Sequence, residues 1–191
     1  MQSQDSCEAV AVICLNLFEC HPTTFSSGGL KCCCCRCCTC INLDFLTTKH
    51  GVIKIMEAFL GGICQSLLVN YGLSQAGVMG QAFHGFLTSA SACLLTTTIL
   101  IICYLISSRT CQLVRQSIFE TMFNGVACFS YLSASSCLGF VVNVFLYPIY
   151  LIQPGYSAYP AMTAVYYLGC IAGFVHGYDA YCSYHFFKGN K

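Results

Sequence analysis

Residues 58–108 read AFLGGICQSLLVNYGLSQAGVMGQAFHGFLTSASACLLTTTILIICYLISS, 51 residues without one Asp, Glu, Lys or Arg. A second charge-free block of 58 residues runs from 121 to 178. A membrane-spanning helix needs about 20 apolar residues, so each block is too long for one span and suits two joined by a turn. Neither block alternates apolar and polar residues with period two, which argues against strands. The reading is an all-α integral membrane protein built as a four-helix bundle of up-down hairpins.

Composition agrees. Only 8% of the 191 residues are charged, against about 25% in soluble domains, and mean hydropathy is +0.69. So few charges cannot cover the surface of a soluble enzyme. The net charge of +1 and the lack of a large basic patch argue against nucleic-acid binding. Bulk disorder conflicts with the hydropathy.

The turns follow from breaker residues. Tyr71 to Gly77 interrupts the first block, and Pro148, Pro154-Gly155 and Pro160 interrupt the second. The expected spans are about 52–71, 82–106, 118–147 and 161–187, forming a domain over 51–187. An N-terminal segment, 1–50, precedes it and a short tail, 188–191, follows it. The basic residues lie before or just inside the first span (Lys31, Arg36, Lys49, Lys54), between the second and third (Arg109, Arg115), and in the tail (Lys188, Lys191). The other two loops have none. The positive-inside rule then predicts that both termini and the central loop face the cytoplasm. The apolar run Ala9 to Leu15 lacks a basic lead and an A-x-A site, so it is read as a disordered or surface-resting leader, not a cleaved signal.

Seven of the nine residues from 32 to 40 are cysteine: Cys32, Cys33, Cys34, Cys35, Cys37, Cys38 and Cys40. On the cytoplasmic side stable disulfides are not expected, and neighbouring cysteines pair only with strain. The outer loops carry no cysteine, which excludes a disulfide-stapled ectodomain. Juxtamembrane cysteines are typical substrates for S-palmitoylation, and each buried methylene would add about 0.8 kcal/mol of membrane affinity. Metal binding is the rival reading, but structural zinc sites want a second, distant Cys pair that is missing here. The cluster is therefore read as a lipidation site, with a merely tolerated cysteine run as the bland alternative, and no metal ligand is assigned anywhere.

Charges inside spans are costly and usually partnered. Lys54 and Glu57 share a face of the first span, Glu120 opens the third, and Asp179 lies in the inner half of the fourth. Cross-helix pairing of Lys54 or Glu57 with Asp179 is expected. A transport path would need polar groups through the full depth, whereas the outer halves offer only Asn70, His84 and Asn143. Gly169, Gly173 and Gly177 recur every fourth residue and predict a close helix contact, with Gly85, Ser89 and Ala92 of the second span as the expected partner face. Among the histidines (His21, His50, His84, His176, His185) none falls in H-E-x-x-H, and no G-x-S-x-G occurs. His84 and His176 read as packing residues. No catalytic residue and no cofactor is assigned, and the expectation is a protein that is not an enzyme.

The stretch Leu43 to Glu57 resembles the lead-in of a MARVEL domain, with its acidic-aromatic start, glycine and first helix. Phe123-Asn124-Gly125, then Tyr131-Leu132-Ser133-Ala134, and the ending Asp179-Ala180-Tyr181-Cys182-Ser183-Tyr184 are similar to the branch holding the chemokine-like-factor proteins, plasmolipin and MAL. The resemblance covers about residues 43–187. The chain departs from that branch in lacking its Trp signatures and in carrying the cysteine-rich leader. Four-span claudins and tetraspanins fit less well, because their loop cysteines and larger ectodomains are absent. The resemblance implies a non-enzymatic membrane organiser in vesicle trafficking, lipid-domain organisation, or membrane apposition, fusion and junctions, at the plasma membrane or on transport vesicles. Some insect members take part in myoblast fusion or septate junctions. Implied partners are membrane lipids, a second copy of the chain or another membrane protein, with no nucleic acid and no soluble small-molecule substrate. The alternative reading is an accessory subunit of a channel or other membrane complex.

Overall fold

A computed structural model describes residues 44–153 and 155–189. The cysteine cluster at 32–40 lies outside the described residues. Four long helices dominate: α2 (Lys49–Met79), α3 (Gln81–Ile106), α5 (Phe119–Ile152) and α6 (Ala158–Gly189). Two short helices accompany them, α1 (Asp44–Thr47) before α2 and α4 (Ser108–Gln116) between α3 and α5. No strand occurs among the described residues. Sequential helices pack side by side and α6 closes on α2, so the four form a ring, with α5 and α6 in the most extensive contact.

Each long helix is apolar enough to span a bilayer, yet only 28% to 33% of its most apolar window is buried. The remaining surface carries large apolar side chains, among them Phe59, Leu95, Phe129, Phe140 and Phe174. Water would not tolerate such a mantle; hydrocarbon does. The chain is a multi-pass integral membrane protein. Inside the ring, Phe83, Phe86, Leu68, Leu138, Leu146 and Met162 form the apolar core.

Local sequence explains the helix starts. Thr48 has extended backbone angles, and its hydroxyl accepts from the Gly51 amide at 3.1 Å while donating to the Phe45 carbonyl at 2.6 Å. A Cβ at Gly51 would overlap the Phe45 carbonyl, so only glycine lets α1 fold back onto α2. Ser107 caps α4 in the same manner by accepting from the Thr110 amide at 3.2 Å. Between α2 and α3 the only non-helical residue is Gly80, at φ 54° and ψ −131°, a conformation that a side chain would strain.

Two helix ends differ from the sequence expectation. The breaker-rich stretch 71–77 does not end the first span. The helix widens to i→i+5 bonding at Leu68–Gly72, tightens at Leu73–Gln75, and continues to Met79. Pro148 likewise does not end the third span. A second widened turn, Val142–Leu146, precedes it and the helix runs on to Ile152. Such a turn absorbs the clash and the lost donor that proline imposes on a regular helix. Asn143 covers a carbonyl there, donating from Nδ2 to Gly139 at 2.7 Å. Pro160 sits inside the first turn of α6, where its missing N–H has no partner to lose.

Candidate functional site

At the end of the bundle where α2 and α5 begin, all three inner carboxylates converge on one ammonium. Lys54 reaches Glu57 Oε2 at 2.9 Å, Asp179 Oδ2 at 2.6 Å and Glu120 Oε1 at 3.6 Å. It also donates to Asn124 Oδ1 at 3.0 Å, and Asn124 Nδ2 donates to Asp179 Oδ2 at 2.6 Å. Lys54, Glu120, Asn124 and Asp179 are 0% exposed and Glu57 is 2% exposed, so none of them snorkels to an interface. Lys54 meets Asp179 directly, and Glu57 joins through Lys54. Arg115 takes no part in this pairing; its guanidinium lies over the Phe186 ring at 4.2 Å.

Two histidines complete the cluster. His50 places Nε2 2.9 Å from Glu120 Oε1 and Nδ1 3.2 Å from Asp179 Oδ1. A neutral imidazole has one N–H, so one of these contacts would set lone pair against lone pair; both are favourable when the ring carries both protons or when a cation stands between one ring nitrogen and its carboxylate. His176 Nδ1 lies 3.1 Å from Glu57 Oε1 and 3.2 Å from Asn124 Oδ1, both acceptors, so this nitrogen carries the proton. Tyr131 stacks on His176 and Phe123 meets it edge-on. Phe45 of α1 and Tyr104 of α3 close the cluster beside His50.

The sequence reading placed Lys54, Glu57, Glu120 and Asp179 among the intramembrane charges, but it gave His50 no role, read His176 as a packing residue and met Asn124 only in the family resemblance. A usable signal existed. His50, Lys54 and Glu57 are spaced i, i+4, i+7 on one helix face, Asn124 follows Glu120 by four residues, and His176 precedes Asp179 by three.

The glycine face of α6 is also filled from within. A Cβ on Gly169 would collide with Ser135 of α5 and the Phe86 ring of α3, one on Gly173 would press on Leu132, and one on Gly177 would come 3.1 Å from Cys128 Sγ. The facing helix is thus α5, with Phe86 the one contributor from α3. The expected partner stripe does not serve, since Gly85 has open space where its Cβ would be. The glycines let α5 and α6 approach because their own backbone offers the gap.

The polar groups of the cluster are sealed, and the one half-buried thiol in the α4 link, Cys111, is pushed above its ordinary pKa by burial, against the pull of Arg115, which makes it a poorer nucleophile.

Comparisons with known proteins now bear on this arrangement. The chain is 47% identical over 163 residues to Protein singles bar of Drosophila melanogaster, covering 85% of this chain and 93% of that one. No solved structure matches. The family described as MARVEL, membrane-associating domain, matches residues 45–182, from the α1 aromatic that covers His50 to three residues past Asp179. The matched stretch contains α2, α3, α5, α6 as far as Cys182, and every member of the buried cluster, and the chain belongs to the MARVEL family.

Proposed function

We propose that the protein is a non-enzymatic organiser of membranes, acting in vesicle trafficking, lipid-domain organisation or membrane apposition, fusion and junctions, at the plasma membrane or on transport vesicles. The observation that carries this reading is the division of surfaces. The polar chemistry of the spans is sealed inside the ring, whereas the bulk of each span is an apolar face offered to lipid. A protein of this build works through what it does to the surrounding bilayer.

Orientation follows the positive-inside rule, with the α4 link and both termini on the cytoplasmic face. In support, Arg115 and Lys188 lie at the end of the ring that holds the cluster, and the α2–α3 turn at the other end is uncharged. Cys32, Cys33, Cys34, Cys35, Cys37, Cys38 and Cys40 then face acyltransferases and act as a regulated lipid anchor. An accessory-subunit role has less support, because the small-residue face that would dock a partner is occupied by α5.

The test is acyl exchange on the full chain, followed by partitioning in phase-separated plasma-membrane vesicles. Wild type gains hydroxylamine-sensitive mass and enriches in the ordered phase. A variant with the seven cysteines changed to serine loses both. Equal partitioning of the two proteins, with acyl mass absent from each, would overturn the proposal.

A further inference from the structure

The charges of the buried cluster do not balance. Glu57, Glu120 and Asp179 face one permanent cation, Lys54, which leaves a formal charge of −2 in a site at most 2% exposed. Uncompensated charge at that burial is strongly unfavourable, so protons on the histidines and carboxylates or a bound cation must offset it. One divalent cation offsets it with the histidines left neutral.

The geometry has room for the cation. His50, Glu120 and Asp179, on α2, α5 and α6, each offer one ligand atom, and these atoms all lie within 4.8 Å of one another. Independently, His50 Nε2, both Glu120 oxygens and Asp179 Oδ1 are buried without a well-aligned hydrogen bond, although Glu120 Oε1 lies 2.9 Å from His50 Nε2 and Asp179 Oδ1 lies 3.2 Å from His50 Nδ1. Native proteins seldom leave such atoms unsatisfied, and where several converge an ion or water joins them. The atoms already engaged stand apart from these. Lys54 and Asn124 occupy the other oxygen of Asp179, Oδ2, and Lys54 is further held by Glu57. The ammonium thus stands beside the candidate ligand set, 2.6 Å from Asp179 Oδ2 and 3.6 Å from Glu120 Oε1.

We propose that His50, Glu120 and Asp179 form a divalent-cation site for an ion of the zinc class, with Lys54, Glu57 and Asn124 as its supporting shell. One imidazole and two carboxylates suit a borderline first-row ion. The ion would tie three of the four spans together beneath Phe45, and His50, the most exposed member at 6%, marks the side from which it enters.

The experiment uses the full chain in nanodiscs with Zn²⁺ as the probe. Cys32, Cys33, Cys34, Cys35, Cys37, Cys38 and Cys40 are changed to serine to remove competing thiolates. After desalting, this protein retains about one Zn²⁺ per chain, and His50→Gln or Glu120→Gln lowers occupancy at least about tenfold. Occupancy below about a tenth in the serine protein, or unchanged occupancy in folded His50→Gln, would overturn the site. Should either variant lose its helical signal, Co²⁺ bound to the serine protein decides. Ligand-field bands without thiolate charge transfer support the site; thiolate bands, or no cobalt bound, refute it.

Discussion

The two ends of the ring hold the same helices together by different means. At one end, Lys54, Glu120, Asn124 and Asp179 bind α2, α5 and α6 through directional contacts of 2.6 to 3.6 Å. At the other, Leu68, Phe83, Leu146 and Met162 belong to the apolar core, and an added Cβ on Gly72 would meet Phe83 and Met162 closer than atoms allow. Within a bilayer the apolar end gains little from exclusion of water, because lipid is as apolar as leucine; its stability is shape-matching and dispersion. The polar end has no tolerable alternative partner in lipid, so its loss is felt in full. The difference teaches that one end fixes which helices meet, and the other adjusts how closely.

Substitutions can break or sharpen that contrast. Lys54→Met leaves three buried carboxylates without their cation and should cost about 3–5 kcal/mol, read as the largest fall in detergent-unfolding midpoint of any single change. Leu146→Ala, at the apolar end, should cost about 2–3 kcal/mol, toward the low end for such truncations because the mobile lipid environment lets the site relax. Were Leu146→Ala to equal Lys54→Met in the same titration, the two ends would not differ in kind. Gly169→Ala, between them, pushes a methyl against Ser135 and Phe86 and should cost about 1–3 kcal/mol, visible as a lower melting temperature by circular dichroism. Gly85→Ala meets nothing within 4 Å, so helix propensity alone acts. It should stabilise by up to about 1 kcal/mol, and a destabilising result in the same melts would place a neighbour on that face.

Much of this was legible in the chain. The spacing of charges located four spans, since fifteen charged residues in three groups leave only two blocks long enough for hairpins. Rarity alone drew attention to Lys54, Glu57, Glu120 and Asp179. The convergence was not legible, because His50 and Asp179 lie 129 positions apart and only the closure of α6 on α2 joins them. Asn124 and His176 carried no formal charge and so did not stand out. Pro148 and the 71–77 stretch misled as terminators, since a propensity for turns is overridden when a widened helical turn takes up the misfit. The glycine stripe announced a close contact but not its partner; Gly85 of α3 had the same spacing, and only packing selects α5.

The widened turns at Leu68–Gly72 and Val142–Leu146 each hold one residue more than a regular helix would need for the same rise. The fold accommodates the extra residue in each without losing its frame. Deleting one residue from either would restore a regular helix and swing everything beyond it by about 100° around the axis. Length differences among descendants of this chain should therefore gather at that end. At the opposite end, His50, Lys54, Glu120 and Asp179 are locked in register on three helices, and a single added residue would turn a charge out into the lipid.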